Sequence, residues 1–239
     1  MAGQPATLEV SHLDTRLAST TLPIVLRTTQ PADAARFAAI LSDPANGSDP
    51  HARPLDAATA ASIIDKQRAS AAVPTVLDRS TGRVVSGPGR LNMVVELLRR
   101  PRPDDDDDEP PLVIGLGGYG AIKDWVRGGA PLRAGDVGAM IDPAHRGKGY
   151  AAEAIRLAVD WAFTPAAEGG PQLDLVTITT GEDNAAMIRL AEHKLGLKGR
   201  GTRRASEEKG QEGVAEMYYE LTKKDWQDVK AKIGDTGNA

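Results

Sequence analysis

The chain has 239 residues, 41% hydrophobic and 26% charged, enough for one sizeable domain with its own core. It contains no cysteine, which excludes disulfides, iron–sulfur clusters, thiolate zinc sites and a cysteine nucleophile. Its 29 basic and 33 acidic residues give a net charge of −4, but Asp104–Glu109 alone carries six negative charges, so the remainder is near neutral at +2 and shows no strongly basic character for nucleic acid.

The first twenty residues are polar and unpatterned and read as a flexible, loosely ordered N-terminus. Leu22–Arg27 reads as a strand. Pro31 and Asp33 open a helix whose stripe is Ala34, Phe37, Ala38 and Leu41, and Asp43–Pro44 with Asn46–Gly47 stop it. A second helix is expected from Asp56 to about Arg68. Residues 70–90, rich in turn signals, read as loop with a possible hairpin. Strands follow at Leu91–Leu98 and Pro111–Ile122. Between them Arg99–Pro110 cannot bury its charges and reads as a solvated connection, either a variable insertion or an acidic arm for a basic partner. Next come a strand at Ala134–Ile141, a helix at Gly149–Phe163, a strand at Gln172–Thr180 and a helix at Asn184–Lys194. Strands near Gly201–Ala205 and Ala215–Thr222 and a weakly helical tail after Trp226 close the chain. The order is mixed α/β with strand-rich ends, so a purely alternating βαβ fold is not expected. One domain over residues 21–228 is expected, with a tail at 229–239. No apolar run approaches a membrane span and no signal layout opens the chain, so a soluble, cytoplasmic protein without membrane or nucleic-acid partners is expected.

Two glycine motifs compete for an anion. Gly115–Gly120 fits G-x-G-x-x-G, but only seven residues separate Gly120 from Gly128–Gly129, too few for the long helix that a dinucleotide fold needs. A packed or bulged strand fits better, and a nicotinamide-dependent reductase is a weak alternative. The second motif is better placed. A strand ends at Asp142–Pro143, the loop Ala144–Gly149 follows, and a helix with Ala151, Ala152, Ile155, Ala158, Val159 and Ala162 on one face begins. Glycines 147 and 149 let backbone amides approach an anion at the helix N-terminus, and Arg146 with Lys148 adds positive charge. The physics points to a phosphate or pyrophosphate. Lys148 is followed by Gly149 rather than Ser or Thr, so this is not a Walker loop.

At these residues the sequence resembles the GNAT superfamily of acyl-CoA-dependent N-acetyltransferases. Arg146, Gly149 and Ala151 match its signature, and the wider string from Asp142 to Ala154 is similar to the RimJ/RimL-type branch. Similarity also covers Leu26–Thr28, Asp33–Ala34, Asn184–Leu190 and Leu195–Leu197. The resemblance implies an α/β fold with a mixed, mostly antiparallel sheet, flanked by helices and splayed at the Ala134–Ile141 strand to admit acetyl-CoA. It implies that the amides of Arg146, Gly147, Lys148, Gly149, Tyr150 and Ala151 hold the pyrophosphate, and that the main chain of Met140 and Ile141 aligns the pantetheine. Asn184 would contact the CoA arm, cap the following helix, or do both.

The implied reaction is direct attack of a primary amine, on a protein N-terminus or a small molecule, upon the thioester of acetyl-CoA. The amine must lose a proton first, and Asp136 is the candidate general base, its other reading being turn contacts at a strand start. Glu182 and His145 are weaker candidates, and no histidine shows metal-ligand spacing. The superfamily often protonates the leaving thiolate with a tyrosine on the helix after Asn184, but that helix carries none here, leaving the acid unassigned among water, Tyr218 and Tyr219. A non-catalytic CoA-binding module is the alternative function, and either a monomer or a homodimer is expected. Acceptor choice is expected to lie with residues 42–74 and 204–215.

Overall fold

The computed structural model describes residues 6–47, 54–98, 111–206 and 213–236. Eight strands form the main sheet, in the order β10-β11-β9-β8-β7-β6-β3-β2. They are β2 (Arg16–Ala18), β3 (Ile24–Thr28), β6 (Leu91–Leu97), β7 (Leu112–Arg127), β8 (Ala130–Ile141), β9 (Leu175–Gly181), β10 (Thr202–Ala205) and β11 (Ala215–Thr222). Every neighbouring pair is antiparallel except β8 and β9. Those two are parallel because α3 (Tyr150–Ala162) carries the chain back across one face between them. A smaller antiparallel sheet is built from β1 (Thr7–Val10), β4 (Thr75–Asp78) and β5 (Arg83–Ser86).

Alternation along the strands sends Leu26, Met93, Val95, Tyr119, Val137, Ile141 and Ile178 to one face, where they pack with Ile155, Ala158 and Val159 of α3. The alanines of α3 let it approach closely, and the Tyr119 hydroxyl crosses the gap to donate to the Ala158 carbonyl at 2.8 Å. Trp226 and Val229 of α5 (Lys223–Thr236) join this core. The opposite face carries α1 (Ala34–Ser42) and α2 (Ala57–Ala71), whose Phe37, Ala38, Leu41, Ala60 and Ile64 cluster over Leu116 and Met140. Beneath α1 the buried Arg27 guanidinium is shared by Asp33, at 2.8 and 2.9 Å, and Glu96, at 2.5 Å. The Tyr119→Phe variant is expected to lose about 1 kcal/mol in urea denaturation, the usual net worth of one buried hydrogen bond.

Several expectations are corrected by this arrangement. The first twenty residues are not uniformly loose: β1 pairs with β4, β2 pairs with β3, and the His12 ring stacks edge-on against Trp161 at 5.2 Å. A domain boundary at residue 21 would remove a strand of the main sheet, and α5 continues to Thr236 rather than fading after 228. Within segment 70–90, whose possible hairpin the sequence left open, β4 and β5 do pair antiparallel. The helix after Asn184 is a short α4 (Ala185–Arg189) followed by one π-turn over Leu190–Lys194, where burial of Ala191, Leu195 and Leu197 overrides regular winding. The acidic run 104–109 lies outside the described residues, as do parts of the two expected acceptor loops.

Gly115–Gly120 lies wholly within β7 and opens no helix. A methyl group at Gly115 would come within 2.7 Å of the Met140 carbonyl, and Gly118, at φ +86°, would drive a Cβ into the Leu91 carbonyl. These glycines serve close strand packing and the register shift between Tyr119 and Ala121.

Candidate active site

The site begins where a ladder ends. β8 and β9 pair over Ala134↔Leu175, Gly135↔Val176 and Asp136↔Thr177, and no further pairing follows although β8 runs on to Ile141. The two strands therefore diverge past Asp136, leaving β8 with a free edge five residues long. In the antiparallel ladder with β7, the Asp142 amide donates to the Ile114 carbonyl at 2.9 Å. Counting back in twos, the main-chain groups of Met140 also point to β7, while those of Val137, Ala139 and Ile141 point into the fork. The amide and carbonyl of Met140 are thereby used inside the sheet, and those of its neighbour Ala139 face the fork. Strand phase relative to β7 cannot be read before the partner is known.

At the end of β8, Asp142 accepts from the Ala144 amide at 2.9 Å and from Arg36 of α1 at 2.5 Å. These contacts hold its carboxyl below the usual range against the opposing effect of burial. The loop then turns through Gly147 (φ +77°) and Gly149 (φ +84°), both left-handed, into the first turn of α3. A Cβ at Gly147 would meet nothing within 4 Å. Lys148 and Gly149 are exposed and Tyr150 is half-buried, with Ala151 packed against the core edge.

Arg146 behaves differently from expectation. Its guanidinium donates to the Ala45 carbonyl at 3.2 Å, to the Asn46 side-chain oxygen and, through Nε, to the Ile141 carbonyl at 3.2 Å. The motif arginine therefore ties the loop to the connection after α1. Lys148 is left as the cation of this loop with no partner among the described residues. A pyrophosphate fits these residues through backbone amides, a helix N-terminus and one lysine.

At the fork, Thr177 and Thr179 donate to the same oxygen of Asp136, at 2.6 and 2.8 Å. Its second oxygen carries no hydrogen bond among the described residues. Burial pushes the Asp136 carboxyl above the ordinary value, and the two threonine hydroxyls offset part of that rise. Sequence reading had set strand-start turn contacts as the alternative for Asp136, but it lies mid-strand with its carboxyl bonded across to β9. Glu182 is exposed and paired with Arg203 at 2.5 Å, away from the fork. His145 is half-buried with an unpartnered Nδ1 rather than solvent-facing. Asn184 caps α4, accepting from the Met187 amide at 3.1 Å. The adjacent tyrosines face opposite ways. Tyr218 lies under Arg204 and donates to Glu220 at 2.7 Å, whereas Tyr219 is buried on the α3 side with an unpartnered hydroxyl.

The family model for the Acetyltransferase (GNAT) domain matches residues 24–198, which contain α1, α2, the fork, the glycine loop and α3. The chain belongs to the GNAT acetyltransferase family. As a GNAT acetyltransferase it takes its acetyl group from acetyl-CoA. Solved structures share the fold at low identity. Mycobacterium smegmatis RimJ in complex with CoA-disulfide is 19% identical with a TM-score of 0.54, covering 97% of this chain and 96% of that one. RimL, a ribosomal L7/L12 alpha-N-protein acetyltransferase in complex with coenzyme A, is 10% identical with a TM-score of 0.57, covering 88% and 99%. A GNAT-family acetyltransferase from Bacillus anthracis is 16% identical with a TM-score of 0.53, covering 91% and 99%. No curated protein sequence matches the chain.

Proposed function

We propose that this acetyltransferase transfers the acetyl group to a primary amine, of a protein N-terminus or a small molecule, by direct attack in a ternary complex. The observation that carries the reading is the fork: β8 and β9 part at a carboxylate whose free oxygen is available to a proton donor. Bound acetyl-CoA supplies a thioester carbonyl open to attack. The amides of Gly147, Lys148, Gly149, Tyr150 and Ala151 bind its pyrophosphate, and Lys148 adds charge. Arg146 positions that loop. The main-chain groups of Ala139 and the amide of Ile141 align the pantetheine, and an amide there polarises the carbonyl. Asn184, its oxygen committed to the α4 cap, has its amide nitrogen to offer the CoA arm. Asp136 takes the proton that an ammonium must lose before it attacks. Tyr218, held by Glu220, and Tyr219, turned into the core, are poorly placed to protonate the thiolate, so water serves as the acid. No helix among the described residues is long and apolar enough to cross a membrane.

Calorimetry with acetyl-CoA and thiol release across a panel of amines test this reading. Micromolar binding with amine-dependent release of CoA is expected. Absence of binding at millimolar acetyl-CoA would remove the pyrophosphate assignment.

A further inference from the structure

Among the described residues a single lysine lies in a strand, Lys123 of β7. The β7–β8 ladder sets Ala121 opposite Asp136 and Lys123 opposite Ala134. Directly opposite residues share a face of a sheet, and the intervening Ile122 is buried in the α3 core, so Lys123 stands with Asp136 on the other face. The two are diagonal neighbours, about 7–8 Å apart at ordinary sheet spacings. Ala121 and Ala134 fill the other two corners of that square, and neither side chain is long enough to stand between them. The four-carbon stem of a lysine, together with the reach of the aspartate, closes such a gap. Each charge is felt at the other: after burial and the two threonine hydrogen bonds, Glu216 raises the Asp136 carboxyl and Lys123 lowers it.

Lys123 is exposed and makes no hydrogen bond or ion pair among the described residues. The acids that β11 presents on this face are held by arginines: Glu220 by Arg127 at 2.7 and 3.0 Å, and Glu216 by Arg204 at 2.7 Å. Asp136 keeps one oxygen without a hydrogen bond, since Thr177 and Thr179 share the other. That free oxygen is the one the transfer reading gives to an incoming amine. Lys123 thus carries a primary amine, within the same chain, to the position that an acceptor amine must occupy.

We propose that Lys123 is a self-acetylation site, which takes the acetyl group of acetyl-CoA bound to its own chain. The inference rests on the acetyl-transfer reading above. Lys123 Nζ forms a bond to the acetyl carbon as the carbon–sulfur bond of the thioester breaks. Of the two protons that the lysine ammonium sheds, one passes to Asp136 and on to solvent, and the other reaches the departing sulfur through water. The products are one acetyl-lysine and one CoA thiol, with no change of oxidation state. The resulting amide carries no charge and is no longer a nucleophile, so the reaction runs once per chain.

The test incubates the full chain with acetyl-CoA deuterated in its acetyl group, without added amine, and follows labelled lysines by peptide mass mapping. Lys66 and Lys198, both exposed, report the spontaneous background. Lys123 is expected to label at least about 100-fold faster than either, the low end of what a positioned base contributes. Its rate should not depend on protein concentration, because donor and acceptor share one chain. Asp136→Asn should bring Lys123 down to the background rate. Lys123→Arg keeps the charge and should abolish the amine-independent burst of CoA thiol, while a saturating alkylamine should slow Lys123 labelling in the wild type by competition. Labelling of Lys123 no faster than the two comparators, or in proportion to protein concentration, would overturn the inference. If such a preparation still acetylates an added amine, the transfer reading stands without it. Acetyl-CoA binding with no acetyl transfer to Lys123 or to any added amine would overturn the transfer reading, and the self-acetylation with it.

Discussion

Replacing Asp136 by Asn is expected to lower kcat by about 10²–10⁴-fold, the usual contribution of a positioned general base, while acetyl-CoA affinity stays within twofold. The amide keeps the size of the side chain and can still accept from Thr177 and Thr179, so the fork keeps its shape. What it loses is the ability to take a proton. Linkage gives a second readout. The carboxyl is pushed above its ordinary value by burial, so the folded state binds its proton more tightly than the unfolded chain does. Its ionised form therefore subtracts stability as pH rises from the ordinary carboxylate range through the raised value, and that loss persists at neutral pH. Asp136→Asn should be as stable as the wild type at pH 7 or more so, which chemical denaturation would show. Activity follows the opposite direction: kcat/KM should fall as pH drops through the raised value, and this acidic limb should vanish in Asp136→Asn. An unchanged pH profile in the variant would remove Asp136 from the reaction.

The Gly149→Asp variant should weaken acetyl-CoA binding at least about 100-fold by calorimetry, equivalent to roughly 2.7 kcal/mol. Gly149 holds φ +84° at the start of α3 and is exposed. A carboxylate there occupies the anion position with its own charge and turns the favourable field of the helix N-terminus against a pyrophosphate. The same charge suits the helix end, and aspartate tolerates left-handed backbone better than most residues, so the fold should survive with an unchanged far-UV spectrum. Gly149→Asn separates the two effects. It has the same shape and backbone tolerance without the charge, and should lose about tenfold or less. Equal losses in both variants would mean that the side chain, and not its charge, blocks the loop.

The loop was legible in the sequence because its signals are local. A strand, Asp142–Pro143, two glycines and an amphipathic helix lie in one continuous run, and each reports its own backbone state. The periodicity of Phe37, Ala38 and Leu41, and of Ile155, Ala158 and Val159, likewise marked the buried sides of α1 and α3. The short strands β1 and β2 were not legible, since a few residues of mixed polarity earn their burial only from partners such as β4 and β3. The π-turn was hidden for a related reason: Ala191, Leu195 and Leu197 suit a regular helix until packing decides otherwise.

The sequence by itself determined the glycine loop, the helix it opens, the overall α/β order and the resemblance that those residues carry. Tertiary structure alone decided that the β8–β9 ladder stops at Asp136, that Ala139 rather than Met140 faces the fork, and that Arg146 is tied to Asn46, a hundred positions away. The physical reason is the range of the interactions. Backbone conformation and amphipathicity are set by residues within a few positions, whereas strand register, the divergence of two strands and the partners of a long cationic side chain depend on segments that meet only when the chain folds.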